Sequence, residues 1–219
     1  MLVSKDEEAA DFKKDIAATF KLLISPRMLH IHPLIIWTAL SAAAFSNSFV
    51  PLMYESMKAE HETDWTSDEK LAMSLYAMIP LGLGEVIGGL VQGKIADRFG
   101  VKAGLVFILV LTAVAFGAVF GTIAQYKFGV LTFLMTFAWG LQDSSVNNFI
   151  NCVLAFEFES KVTPFSVNKF SQSLFVFAFI IVASYINTQA RFYIYFGVMC
   201  GFAFLALGSI FCFKFKGKE

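Results

Sequence analysis

The chain reads as an all-α membrane protein of six transmembrane helices. Six stretches of roughly 20 apolar residues follow one another from about Ile31 to Phe213, which is the length a helix needs to cross a hydrocarbon core of ~30 Å. Hydrophobic residues make up 57% of the chain, 26 of them Phe, so there is too little polar surface for a soluble globule of 219 residues. The charges, which sum to zero, are gathered in the short connections between the apolar stretches.

Residues 1–29 form an N-terminal segment. Met1–Ala10 is charged, and the first 29 residues are too polar to hold the apolar run of a signal peptide. From Asp11, the residues Phe12, Ile16, Phe20 and Leu23 recur at helical spacing while Lys13, Lys14, Asp15 and Lys21 face elsewhere. That pattern predicts an amphipathic helix, lying on the membrane surface or packed on the protein. Residues 30–214 form the bundle and 215–219 a basic tail. The first span runs from about His30 to Met53, with Pro33 near its start and Pro51 near its end. The second covers Leu71–Gln92, the third Val101–Ile123 and the fourth Gly129–Phe156. The fifth starts after Pro164, a favourable first-turn position, and ends near Tyr185; the sixth covers Phe192–Phe213.

Lys and Arg set the orientation. Lys5, Lys13, Lys14, Lys21, Arg27, Lys94, Arg98, Lys102, Lys161, Lys214, Lys216 and Lys218 fall on one side, and Lys58, Lys70, Lys127 and Arg191 on the other. This imbalance places both termini in the cytosol. The acidic connection between the first two spans, with Glu55, Glu60, Glu62, Asp64, Asp68 and Glu69, then faces outward or into a lumen.

Charges inside a span cost at least ~2.5 kcal/mol each on insertion scales, so Glu85, Asp143 and Lys169 each need a reason. Glu85 lies in Gly82-Leu83-Gly84-Glu85-Val86-Ile87-Gly88-Gly89, where Gly84, Gly88 and Gly89 offer a small-residue face to another helix. Pro80 can kink this span. Glu85 and Lys169 lie at similar depths, ~10 Å and ~9 Å from the cytosolic ends of their spans. They can pair, either as a structural tie or as a gating or coupling site, and Lys169 can instead snorkel to the interface. Asp143, Asn147 and Asn151 follow at i, i+4 and i+8, a polar stripe that must face other helices or a wet cavity. It reads as interhelical glue or as a substrate-cavity wall, which Asn47, with Ser46 and Ser48, and Gln172, with Asn168, could complete.

The remaining polar features exclude more than they assign. Cys152, Cys200 and Cys212 have no ligand spacing and read as small buried hydrophobes. His30 and His32 read as interface residues, without a third ligand for a metal. No phosphate-binding glycine loop, nucleophile elbow or zinc-binding helix is present, so no enzyme activity, cofactor or nucleic-acid partner is expected.

The connection after the second span is the most specific motif. Gly93-Lys94-Ile95-Ala96-Asp97-Arg98-Phe99-Gly100-Val101-Lys102 predicts a tight basic turn in which Asp97, Arg98 and Lys102 bond one another and cap helix ends. It resembles the loop between the second and third helices of each half of major facilitator transporters. Further stretches resemble the UNC-93-like branch of that superfamily. Leu22–Leu29 resembles the start of its seventh helix, Gly82–Gly89 the glycine-rich eighth and Gly140–Asn148 the tenth. Phe165 with Asn168–Leu174 is similar to the eleventh. Glutamine stands at Gln142 where the family pattern leads to glycine, an expected tightening of packing.

The resemblance covers the chain from about residue 19 onward and matches only the C-terminal six of the family's twelve helices. It implies one half of a major facilitator fold, built as two inverted three-helix repeats. Either an N-terminal six-helix half is missing, or the chain pairs with another half or a second copy, or it serves as a structural subunit. The function expected first is movement of a small solute by alternating access. Asp143 and its stripe would then contact substrate, Glu85 and Lys169 would gate or couple, and spans three and six would face lipid. The alternative is a non-transporting regulatory or structural subunit of an ion channel or membrane complex.

Overall fold

The computed structural model describes residue 14 and residues 16–59, 65–160 and 162–215, and every regular element among them is helical. The charged N-terminus Met1–Ala10, the N-terminal helix residues Asp11, Phe12, Lys13 and Asp15, the basic residues Lys5, Lys161, Lys216 and Lys218, the acidic residues Glu60, Glu62 and Asp64, and the tail beyond Phe215 lie outside the described residues. Residues 16–23 are helical, and the Phe20 ring meets Phe170 edge-on at 6.2 Å, so this stretch touches the protein's own surface. Eight longer helices follow: α1 Pro26–Asn47, α2 Phe49–Ala59, α3 Ser67–Tyr76, α4 Ile79–Phe99, α5 Val101–Gln125, α6 Val130–Glu157, α7 Thr163–Ala183 and α8 Gln189–Phe211.

Prolines set the breaks. Pro26 opens α1 behind the Ser25 cap, whose hydroxyl accepts the Met28 N–H, and Pro164 opens α7. Pro51 has no N–H to give Asn47, and α1 ends at Asn47. Pro80 has none to give Tyr76, and α3 ends at Tyr76. The first expected span is therefore two helices, α1 and α2, extending from Pro26 to Ala59 with an interruption at Ser48. The second is α3 and α4, extending to Phe99.

The latter corrects the reading of Gly93–Lys102 as a loop. Gly93 through Phe99 is helix, and the turn is Gly100 alone, at φ 83°, a left-handed backbone that a Cβ would strain. Hydropathy fell at Gln92 because the apolar run stops there. Lys94, Ala96 and Arg98 are good helix formers that carry the helix onward without it.

Among the described residues, five helical runs are long and apolar enough to cross a membrane: α1, α3 with α4, α5, α7 and α8. The longest helix, α6, has 28 residues, but polar side chains between Gln142 and Asn151 keep it below that apolar threshold. It is instead among the most buried. α4 and α5 pack on it, α1 packs on α6, α7 and α8, and α5 packs on α8. The core is aromatic at its centre. Trp139 of α6 meets Trp37, Phe49, Phe116 and Phe196 with ring centroids 5.1 to 6.2 Å apart, which ties α1, α2, α5 and α8 to one indole.

The α4–α6 crossing is a contact of backbones. A Cβ on Gly84 would lie 2.3 Å from the Phe137 carbonyl oxygen, one on Gly88 2.4 Å from that of Leu141, and one on Gly140 2.0 Å from that of Leu81. Close approach brings polar side chains of α6 within reach of α4 carbonyls. Ser145 Oγ shares its proton between Leu141 O of its own helix, at 2.7 Å, and Gly88 O, at 3.2 Å, and Asn148 Nδ2 donates to Gly89 O at 3.0 Å. The small-residue face read in the sequence thus meets a reciprocal glycine, Gly140, that was not assigned this role.

Candidate functional site

The site is a row of polar side chains crossing from α7 to α1 through α6. Lys169 Nζ donates to Gln172 Oε1 at 3.1 Å. Gln172 Nε2 donates to Asn147 Oδ1 and to Thr38 Oγ1, each at 3.4 Å. Asn147 Nδ2 donates to Asp143 Oδ2 at 3.1 Å, and Ser41 Oγ donates to Asp143 Oδ1 at 2.5 Å. An ammonium has only donors and a carboxylate only acceptors. Both amides between them must therefore point the same way, so the row is polarised from cation to anion and each bond strengthens the next.

Helix geometry explains which residues join. Asp143 and Asn147 are one turn apart on α6, and Lys169 and Gln172 one turn apart on α7. Thr38 and Ser41 hold the same spacing on α1. Asp143 is 7% exposed, so its charge has no solvent and depends on these donors. Lys169 is exposed, on the candidate span whose most apolar stretch is least covered: 17% of that stretch of α7 is buried, against 61% for α1.

Several expected members stand elsewhere. Asn151 is exposed, and its side chain makes no hydrogen bond among the described residues. Four-residue steps overshoot a full turn by about 40°, so the stripe drifts off the buried face by its third member. Asn47 donates back to Ala43 O at 3.5 Å and lies at the α1–α2 break, away from the row. Glu85 and Lys169 do not pair. Glu85 is half-buried on α4, which packs on α5 and α6, whereas α7 packs on α1. With α4 extending to Phe99, Glu85 also lies about 21 Å from that helix end rather than ~10 Å.

Asp97, Arg98 and Lys102 form no bond with one another; Arg98 lies over the Phe99 ring at 5.5 Å, and all three are exposed. Gly93 meets nothing within 4 Å of a built Cβ, inside the helix rather than at a turn. Gln142 is buried, and neither atom of its amide has a partner among the described residues, a cost that offsets the contact it adds. The expectation of three buried cysteines is also corrected: Cys152 and Cys212 are exposed and Cys200 half-buried, all three as free thiols.

Two features went unassigned in the sequence. Thr38 and Ser41 were passed over as small residues in an apolar run, although their one-turn spacing was the available signal. At the Pro26 end of the bundle, Arg27 forms a salt bridge with the buried Glu157 of α6. The Arg27 guanidinium also lies 5.3 Å from the Phe213 ring centroid and donates to Lys214 O at 3.4 Å. This cluster joins the first turn of α1, the last residue of α6 and the chain beyond α8, and no spacing in the sequence indicates it.

A family model described as "Ion channel regulatory protein UNC-93" matches residues 1–213. No curated protein and no solved structure matches the chain.

Proposed function

Because the chain belongs to the UNC-93 family, we propose that it is a non-transporting regulatory subunit of an ion channel, docked through α7. The observation carrying this reading is the Lys169 ammonium, exposed on the least covered span beside Phe170, Leu174 and Phe177. A cation in a span marks a face meant for protein or water rather than for lipid. The polarised row behind it fixes Gln172 and leaves Lys169 with donors to give to an acceptor on a partner helix.

The architecture that goes with it is six spans, α6 included, forming one half of a major facilitator fold. Support comes from the packing partners. Exchanging the first three spans for the last three turns the α1–α7 contact into α6–α4 and the α1–α8 contact into α6–α5, all of which are present. The α5–α8 and α1–α6 contacts map onto themselves, while the α4–α5 contact maps onto α7–α8, which do not close on each other. The excess of Lys and Arg at the Pro26 end supports a cytosolic position for both termini.

The test places a photo-crosslinking side chain at Ser173 or Phe177 of the full chain in its native membrane. One stoichiometric adduct with an ion-channel subunit is expected. Lys169→Glu is expected to reduce it about tenfold or more by reversing the charge that meets the partner, with unchanged yield and elution of the chain itself. A lone monomer in detergent without an adduct overturns the proposal. The second reading, solute transport, draws on the same row. Asp143, Asn147 and Gln172 would form a cavity wall once another half covered α7, with Lys169 or Glu85 coupling or gating.

A further inference from the structure

The turn over residues 184–188 joins α7 to α8, yet both helices pack on α1 rather than closing on each other. Consecutive antiparallel helices usually touch. Here α1 acts as a wedge, and a cleft of about 560 Å³ is left at the Tyr126 end of the bundle. Leu40 of α1, Met199 and the buried Tyr195 form its floor, and Phe179, Val182 and Val198 line its walls. Val182 and Val198 are 50% and 69% exposed, so the cleft opens sideways, where a membrane protein meets acyl chains.

One charged side chain lines it. Arg191, in the first turn of α8, donates from Nη1 to Tyr185 O at 2.9 Å and to Asn187 Oδ1 at 3.0 Å. Both bonds use the same nitrogen. They hold the guanidinium at the mouth of the cleft, while Nη2 and Nε have no partner among the described residues and stay free for a bidentate acceptor. The exposed Tyr185 stands beside it, as aromatic residues do at the boundary of headgroups and hydrocarbon. From Arg191 to Val198 the cleft extends about 10 Å along α8, enough for part of an acyl chain.

We infer that this cleft is a binding site for one bilayer glycerophospholipid, with an acyl chain against Leu40 and Val198 and its phosphate on Arg191. Water would be costly between apolar walls inside a bilayer, and a purely apolar occupant would leave the guanidinium unmatched. An amphiphile with an anionic head and a hydrocarbon tail satisfies both ends.

The test is native mass spectrometry of the delipidated full chain, titrated with palmitoyl-oleoyl phosphatidylglycerol or with the phosphate-free palmitoyl-oleoyl glycerol. The wild-type chain is expected to hold one phosphatidylglycerol. Arg191→Gln is expected to weaken that binding about fivefold without altering diacylglycerol binding, because only the phosphate contact is removed. Val198→Trp is expected to block both ligands by filling the cleft. Arg191 is exposed, so its variant tests the phosphate contact even if Val198→Trp fails to fold. Equal phosphatidylglycerol binding by wild type and Arg191→Gln overturns the inference. So does a wild-type chain that binds no lipid, or a Val198→Cys variant that cross-links to a second copy through the cleft.

Discussion

Asp143 keeps a carboxylate in an apolar bundle because both of its oxygens accept a hydrogen bond, from Ser41 and from Asn147. Asparagine at this position would keep the shape and the bond from Ser41. It would turn the contact with Asn147 into an encounter of two donors, although Asn147 Nδ2 can still donate to the Asp143 carbonyl at 2.9 Å. Asp143→Asn is therefore expected to cost only about 1 kcal/mol in detergent unfolding. If the row binds a solute, uptake by proteoliposomes should fall about tenfold or more, since the charge goes while the fold stays. Unchanged flux across a broad solute panel would remove Asp143 from any transport site and leave it as an interhelical tie. The sequence made this residue easy to find, because a lone acid among apolar neighbours demands partners. It did not identify the partners, since Ser41 and Thr38 are polar enough to donate but small enough to pass as packing.

Among the helices, the α4–α6 crossing carries the sharpest constraint. Gly140 has the Leu81 carbonyl oxygen 2.0 Å from where a Cβ would stand, and backbone cannot swing aside as a long side chain can. Gly140→Ala must push α4 from α6 and loosen the bonds from Ser145 and Asn148, an expected loss of about 1 to 3 kcal/mol in thermal or detergent unfolding. Gly82 lies on the same helix as Gly84, yet nothing comes within 4 Å of its Cβ position. Gly82→Ala should leave stability unchanged or raise it by up to about 1 kcal/mol, by restricting the unfolded chain. Similar losses at both positions would mean that α4 and α6 do not cross at the glycines. Glycine spacing marked the face on α4, while the facing glycine depended on the register of two helices separated by more than 50 residues. Two prolines were more informative: the N–H groups that Pro51 and Pro80 lack leave breaks four residues back, at the ends of α1 and α3, whereas Pro33 is carried inside α1 without one.

Across the whole bundle, charge placement predicts how the protein sits in its membrane. With the native cysteines replaced, Lys58→Cys and Lys127→Cys should react with an impermeant maleimide from outside sealed, right-side-out vesicles. Lys102→Cys should react only after permeabilisation, because its end of the bundle carries most of the Lys and Arg. Reversed labelling would invert the orientation, and labelling of Lys58→Cys and Lys127→Cys from opposite sides would break the count of spans. The exposed faces of α4 and α7 belong to this scale too. Val86 and Leu90 on α4, and Phe170 and Phe177 on α7, stand 50 to 66% exposed. Lys169 shares the α7 face, and it is this combination on which the proposed docking of a partner rests.

Local chemistry alone made the chain a helical membrane protein. Backbone groups in hydrocarbon must bond within their own segment, so long apolar runs become helices whatever surrounds them. The unpaired proline nitrogens and the need of buried charges for partners were equally local. Which charge meets which was not, because similar depth along two helices says nothing about which faces turn together. Glu85 and Lys169 stay apart, while Lys169 reaches toward Asp143 through two amides, and Arg27 finds Glu157 across the bundle. Those pairings follow from how α1 wedges between α7 and α8 and how glycines let α4 meet α6. They come into being only when distant helices pack.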